Sequence, residues 1–159
     1  VIAKLYEASA NGVRIDLIVR GICTLRPGIA GVSDNITVRS IVGRFLEHHR
    51  LFYFRNGGNE KIFLSSADWM PRNLNERVEL MIPIEDKRHK ARIKGILDLY
   101  LVDTLKAHLM RADGSYYKVS NIEGPLSAQE ELMEAANTQD NKEQMTVIER
   151  FKPMFKMKE

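Results

Sequence analysis

With 159 residues and 44% hydrophobic content, the chain has the size of one domain with one core. No apolar run approaches the roughly 20 residues that a membrane-spanning helix requires, and the single Cys23 excludes an internal disulfide and fits a reducing, cytoplasmic setting. The net charge is +3, with the excess in residues 1–122, which hold 19 Lys and Arg against 13 Asp and Glu.

The opening VIAKLYEASANG has no initiator Met and no basic signal-peptide region. It starts directly in a helical pattern, so the chain is read as a piece of a longer polypeptide. Ile2, Leu5, Tyr6 and Ala10 recur at helical spacing, and Asn11-Gly12 ends that helix. Val13–Val19 alternates and is β-branched, which predicts the first strand. Gly21–Asn35, glycine-rich with Pro27 and Ser-Asp-Asn, is a loop of a length that usually serves binding. Ile36–Val42 predicts a second strand, Arg44–His49 a short helical turn, and Leu51–Phe54 a third strand in which Phe52, Tyr53 and Phe54 pack into the core. Arg55–Asn59 (RNGGN) is a hairpin turn. Lys61–Leu64 and Arg77–Ile84 predict strands four and five.

Glu85–Met110 has no proline, and Ile93, Ile96, Leu97, Tyr100, Leu101, Leu105 and Leu109 share a helical face. One long helix is predicted there, or two joined near Gly95. Arg111–Ser127 reads as an exposed turn with an extended piece at Tyr116–Val119. Ser127 is placed to cap a last helix, with Glu130 at the capping-box position. The tail from about residue 137 is polar and weakly patterned and is expected to be poorly ordered. The class is α/β: a mixed central sheet flanked by helices, a long helix after the last strand, and a helical C-terminal tail, all within a single domain over 1–159.

Between positions 20 and 77 the cations are almost all arginine: Arg20, Arg26, Arg39, Arg44, Arg50, Arg55, Arg72 and Arg77, with Lys61 the exception. Arginine presents a planar fork that grips two phosphate oxygens, so the series suggests an anionic, phosphate-rich ligand, although scattered surface arginines fit it too. Neither GxxxxGK[ST] nor GxGxxG is present. Four segments fall at predicted strand ends, where ligands of α/β sheets collect: IVRG (Ile18–Gly21), FLEHHR (Phe45–Arg50), LSSAD (Leu64–Asp68) and WMPRN (Trp69–Asn73).

On an extended segment His48 and Arg50 share a face, so an imidazole and a guanidinium can address one phosphate. His49 then points to the other side, as a surface or half-buried residue. Ser65, Ser66 and Asp68 add two hydroxyls and a carboxylate that can bond phosphate or orient a cation. The same Ser-x-x-Asp spacing also suits a helix or turn cap.

H-x-[KR] followed one hairpin later by small and polar residues resembles a half-site of the phospholipase D superfamily. There, two half-sites face each other, one histidine is phosphorylated and the other gives acid–base help. The longer run is more specific. DLIVRGICTLRPGIAGVSDNITVRSIVGRFLEHHRLFYF (Asp16–Phe54), LSSADWMPRN (Leu64–Asn73) and RVELMIPI (Arg77–Ile84) together resemble the final, phospholipase D-like domain of the large polyphosphate kinases, from about Val1 to Leu109.

That resemblance implies a C-terminal domain of a multidomain enzyme. The parent would reversibly move the terminal phosphate of ATP to inorganic polyphosphate, through a phosphohistidine carried by the preceding domain. It implies that Arg20 binds ATP and that His48 is a second, ATP-contacting catalytic histidine. Arg50, Ser65, Ser66, Asp68 and Arg72 occupy motif positions, and chemistry suggests phosphate or polyphosphate contacts for them. His49 fills the motif's variable position. ATP and ADP are the implied substrates. Mg2+ is expected for the whole enzyme, with no metal site made by this domain alone. The implied partners are the upstream domains of the same polypeptide and further copies in a homo-oligomer, with no nucleic acid and no membrane span, in the cytoplasm or peripherally at a membrane. The isolated domain is expected to be inactive.

Two other readings stand beside it. A phosphodiesterase of the phospholipase D superfamily usually keeps Lys after H-x and an Asp soon after, whereas here Arg50 is followed by Leu51-Phe52-Tyr53-Phe54. A non-catalytic polyanion-binding module would fit the arginine content, but no exposed aromatic pair for base stacking is apparent.

Overall fold

The computed structural model describes residues 1–119 and 124–138. In chain order the elements are α1 (Ile2–Ala10), β1 (Ile15–Ile18), β2 (Ile36–Ile41), β3 (Arg50–Phe54), a 3-10 turn (Asn56–Gly58), β4 (Lys61–Ser65), α2 (Pro71–Asn75), β5 (Met81–Ile84), α3 (Lys87–Val102), β6 (Ala107–Met110) and β7 (Tyr116–Lys118). A last helix, α4, covers residues 128–138.

The mixed sheet has the order β1-β2-β6-β7, with β1 and β2 parallel and the other pairs antiparallel. Its two faces follow from the alternation of side chains along β2. Ile36 and Val38 face one way and join Leu25 and Met110, with Leu5 and Tyr6 of α1 packed over them. Ile41 faces the other way and joins Tyr100 of α3, Ala107 and Ala128 at the start of α4. The sheet is therefore covered by α1 and the loop after β1 on one side, and by α3 and α4 on the other. Ile36, Val38, Leu25 and Tyr100 are each no more than 3% exposed. Burial of side chains of this size contributes about 1.5–3 kcal/mol each, and this double-sided packing holds the layers together.

Strands β3, β4 and β5 form a second, wholly antiparallel sheet. The RNGGN turn joins β3 to β4 as expected, with Gly57 and Gly58 at positive φ where a side chain would strain the backbone. Phe54 at the end of β3 is half exposed, so the aromatic run is not wholly a core element. Phe52 stacks on Trp69, and Phe54 meets Phe63 edge-on.

Three sequence expectations change. The helix expected over Glu85–Met110 stops at Val102, and Ala107–Met110 is instead an inner strand beside β2. The buried Asp103 accepts from the backbone N–H groups of Lys106 (2.7 Å) and Ala107 (3.0 Å), which turns the chain out of the helix. Leu105 and Leu109 fit a strand's alternation as well as a helix's stripe. The helical turn expected at Arg44–His49 does not form, because both backbone groups of Phe45 bond to the side chain of Gln129 instead. The fifth strand begins only at Met81; before it, Val78 is exposed, and Leu80 bonds to Ser66. Ser127 does cap α4, accepting from Glu130 N–H at 3.4 Å. The expectation of a poorly ordered terminal segment falls on residues 139–159, outside the described residues.

Candidate active site

β1 ends in the hydrogen bond from Val19 N–H to the Arg39 carbonyl, and Arg20 follows at the strand's exit. Its guanidinium donates to the carbonyl oxygen of Glu47, the residue before His48. The segment between β2 and β3 has no regular structure, and His48 is exposed on it. Arg50 opens β3 opposite Ser65 of β4. Its Nε donates to Asp68 Oδ1 at 3.0 Å and its Nη1 to the His48 carbonyl at 2.6 Å. Arg20 and Arg50 are thus tied to the backbone carbonyls of Glu47 and His48, and Arg50 in turn to Asp68.

The charges in this cluster act on one another. The hydrogen bond from Arg50 holds the Asp68 carboxyl below the usual carboxylate range, and the charges of Arg20 and His48 pull in the same direction. Asp68 in turn raises the Arg50 guanidinium. The site sets two guanidinium groups and an imidazole near two carboxylates, those of Asp68 and Glu79. It can neutralise phosphoryl oxygens and offer a proton-exchanging nitrogen at His48.

Ser65 and Ser66 lie beside this cluster but are occupied by the fold. Ser65 Oγ donates to the Leu80 carbonyl at 3.1 Å and accepts from Ala67 N–H at 3.1 Å. Ser66 Oγ donates to the Glu79 carboxylate and accepts from Leu80 N–H at 3.0 Å. Glu79, which the sequence reading did not single out, also accepts from Asn73 Nδ2 at 3.0 Å. The bonds from Ser66 and then Asn73 hold its carboxyl low. Glu79 sits in the alternating segment before β5, where a lone acid among apolar residues was the available signal. Asn73 is buried, and its Oδ1 has no partner among the described residues. Arg72 is exposed on α2, and no bond ties it to the cluster.

The arginine series does not line a single path. Arg39 is drawn inward, where its guanidinium donates to the carbonyls of Tyr100 (3.2 Å) and Asp103 (3.0 Å). Burial lowers its affinity for its proton. Arg26 donates to the Asp113 carbonyl and joins the loop after β1 to the β6–β7 turn. Both act as cross-links between segments. His49 turns away from His48 and stacks on Tyr100, with ring centroids 5.5 Å apart.

Magnesium would require converging oxygen donors. Among the described residues no group of three or more His, Cys, Asp or Glu side chains gathers as a metal site. The nearby carboxylates of Asp68 and Glu79 are already engaged with Arg50 and with Ser66 and Asn73. Among the described residues these donors do not fit a magnesium ion. Among the described residues no helix is long and apolar enough to cross a membrane.

The chain is similar to known proteins in sequence and fold. Residues 1–129 match the family model described as polyphosphate kinase C-terminal domain 2. A polyphosphate kinase of Pseudomonas aeruginosa is 57% identical over 136 residues, covering 84% of this chain and 20% of that protein. One from Bacillus anthracis is 58% identical over 121 residues, covering 76% and 17%. The crystal structure of the polyphosphate kinase from Porphyromonas gingivalis superposes with a TM-score of 0.83 at 40% identity, covering 89% of this chain and 22% of that one. The α/β, phospholipase D-like fold is thereby shared, and the chain spans about a fifth of the length of the curated relatives it matches. By its sequence and its fold alike, the chain belongs to the polyphosphate kinase C-terminal domain 2 family.

Proposed function

We propose that this chain is one domain of a longer, cytoplasmic polyphosphate kinase and supplies the nucleotide side of its phosphoryl-transfer site. The parent enzyme reversibly transfers the terminal phosphate of ATP to inorganic polyphosphate through a phosphohistidine on the preceding domain. Arg20 binds ATP phosphate oxygens, and its fork suits two oxygens at once. His48 faces the incoming phosphohistidine as acid–base and charge-stabilising partner. Arg50, oriented by Asp68, clamps the same phosphates, and Arg72 extends the contact along the polymer.

The observation that carries this reading is the bonded series Arg20, Glu47 carbonyl, His48 carbonyl, Arg50 and Asp68, with the charges of Arg20 and His48 also bearing on the Asp68 carboxylate. The exposed apolar side chains Leu46, Leu64, Leu80, Met81 and Ile82 support covering by another part of the polypeptide. Further copies of the parent would complete a homo-oligomer. In this reading the isolated chain is inactive.

The test is His48→Ala and Arg20→Lys in the full-length enzyme. His48→Ala is expected to abolish most synthesis while the fold persists, and Arg20→Lys to raise the KM for ATP. Near-normal turnover in the first variant would remove the catalytic role, and a normal KM in the second would remove the binding role. Hydrolysis of a generic phosphodiester by the chain would favour the phosphodiesterase reading. Equal affinity for polyphosphate and single-stranded DNA at matched charge and salt would favour a general polyanion binder.

A further inference from the structure

The segment between β2 and β3 carries His48 yet forms no helix or strand, so something outside it must define its course. Most of that definition comes from Gln129, in the first turn of α4. This side chain is 4% exposed. Its Oε1 accepts from Phe45 N–H at 3.0 Å and its Nε2 donates to the Phe45 carbonyl at 2.8 Å. One amide side chain thus pairs with both groups of one residue, as a neighbouring strand would. The second Nε2 hydrogen goes to Glu47 Oε1 at 2.7 Å. Both donors and one acceptor direction of the amide are used on this segment.

Two independent features show the fit. A Cβ at Gly43 would lie 2.2 Å from Gln129 Oε1, so position 43 admits the amide only because it has no side chain. Glu47, besides accepting from Gln129, stands beside the Tyr100 hydroxyl and lies 3.4 Å from His49 Nδ1. Burial first, and then the Glu47 carboxylate, pushes the Tyr100 hydroxyl up, so it stays neutral. His49 completes the set by stacking on Tyr100. The residues on both sides of His48 are therefore fixed to α3 and α4, while His48 itself is exposed. The Glu47 carbonyl, in the same restrained stretch, is the one that receives Arg20.

We infer that Gln129 is a positioning residue that clasps the His48 segment and sets the placement of His48 and Arg20 relative to each other. The inference rests on the reading of those two residues as the phosphate-handling pair. A displacement of about 1 Å in a reacting group can cost on the order of a hundredfold in rate, so a clasp of this kind acts on turnover without touching substrate.

The test uses the full-length enzyme with Gln129→Glu, which keeps the shape but loses the donors to the Phe45 carbonyl and to Glu47 and, by setting two carboxylates against each other, drives the side chain off Phe45. Hydrogen exchange at the Phe45 amide, kcat, the KM for ATP and the melting temperature are measured. Adding Glu47→Gln to the same variant restores one donor between the two side chains. The expected result is faster exchange at Phe45 and a kcat lowered about tenfold or more in protein that remains folded, with partial recovery of both in the double variant. Unchanged exchange at Phe45 overturns the clasp whatever the activity. Faster exchange with unchanged kcat, in an enzyme that His48→Ala inactivates, overturns the positioning role. If His48→Ala is itself active, the reading of the site fails, and the Phe45 exchange alone still decides whether Gln129 holds the segment.

Discussion

Arg50 and Asp68 meet at 3.0 Å across the start of β3 and the exit of β4, and the same guanidinium reaches back to the carbonyl of His48. One ion pair therefore ties together the segment before β3 and the loop after β4. Its chemistry has a pH signature. Asp68 is depressed in the folded state, so its contribution to stability is fully present above the ordinary carboxylate value and is lost as pH falls through the lowered one.

Replacing Asp68 with Asn should lower stability near neutral pH by no more than about 1 kcal/mol, since the pair is partly exposed. The gap between the two proteins should narrow as the pH falls below the ordinary carboxylate range. Urea denaturation at pH 7, 5 and 3 measures it. A gap that widens on acidification would mean that Asp68 is not held by Arg50.

Asp103 carries a larger structural load. It is fully buried and accepts three backbone N–H groups, those of Lys106, Ala107 and Ala128. Asp103→Ala would leave all three without a partner and should cost about 3 kcal/mol or more. Asp103→Asn keeps one acceptor oxygen and should cost less. Equal stability of the wild type and the Ala variant in chemical denaturation would contradict the role of this side chain in ending α3 and starting α4.

Ser66 separates two meanings of one motif. With its hydroxyl committed to Glu79 and Leu80, Ser66→Ala should destabilise by about 1 kcal/mol and speed hydrogen exchange at the Leu80 amide. A raised KM for polyphosphate with unchanged exchange at Leu80 would instead make Ser66 a substrate contact.

Trp69 is the one tryptophan of the chain, half exposed beside Asp68 and stacked on Phe52 at 5.2 Å. Its fluorescence should report ligand at the site. Titration with ATP is expected to change the emission, and Arg20→Ala to weaken the apparent affinity about tenfold, the loss of a charged hydrogen bond. An emission that stays constant while calorimetry shows binding would place the nucleotide away from Trp69.

Much of the fold could be read from local pattern. α1, β1, β2, β3, β4 and the RNGGN hairpin have a hydrophobic period or a turn chemistry that few neighbouring residues can override. The segment Leu105–Met110 was different, because its apolar residues satisfy both a helical stripe and an alternating strand. The choice lay with Asp103, whose carboxylate takes N–H groups near it in sequence and from the start of α4. No short window of sequence contains both.

The site divides along the same line. The residue types and spacing of IVRG, FLEHHR and LSSAD marked Arg20, His48, Arg50 and Asp68, because a fork-shaped cation, an imidazole and a carboxylate at strand ends are readable one segment at a time. Pairing Arg50 with Asp68, burying Arg39, committing both serines to Leu80 and recruiting Glu79 and Gln129 depend on residues up to 84 positions apart. By itself, then, the sequence determined the α/β class, most strands and the chemistry gathered at their ends. Tertiary structure decided which of those side chains remain available to a ligand, because a polar group buried in packing bonds whatever the fold brings to it.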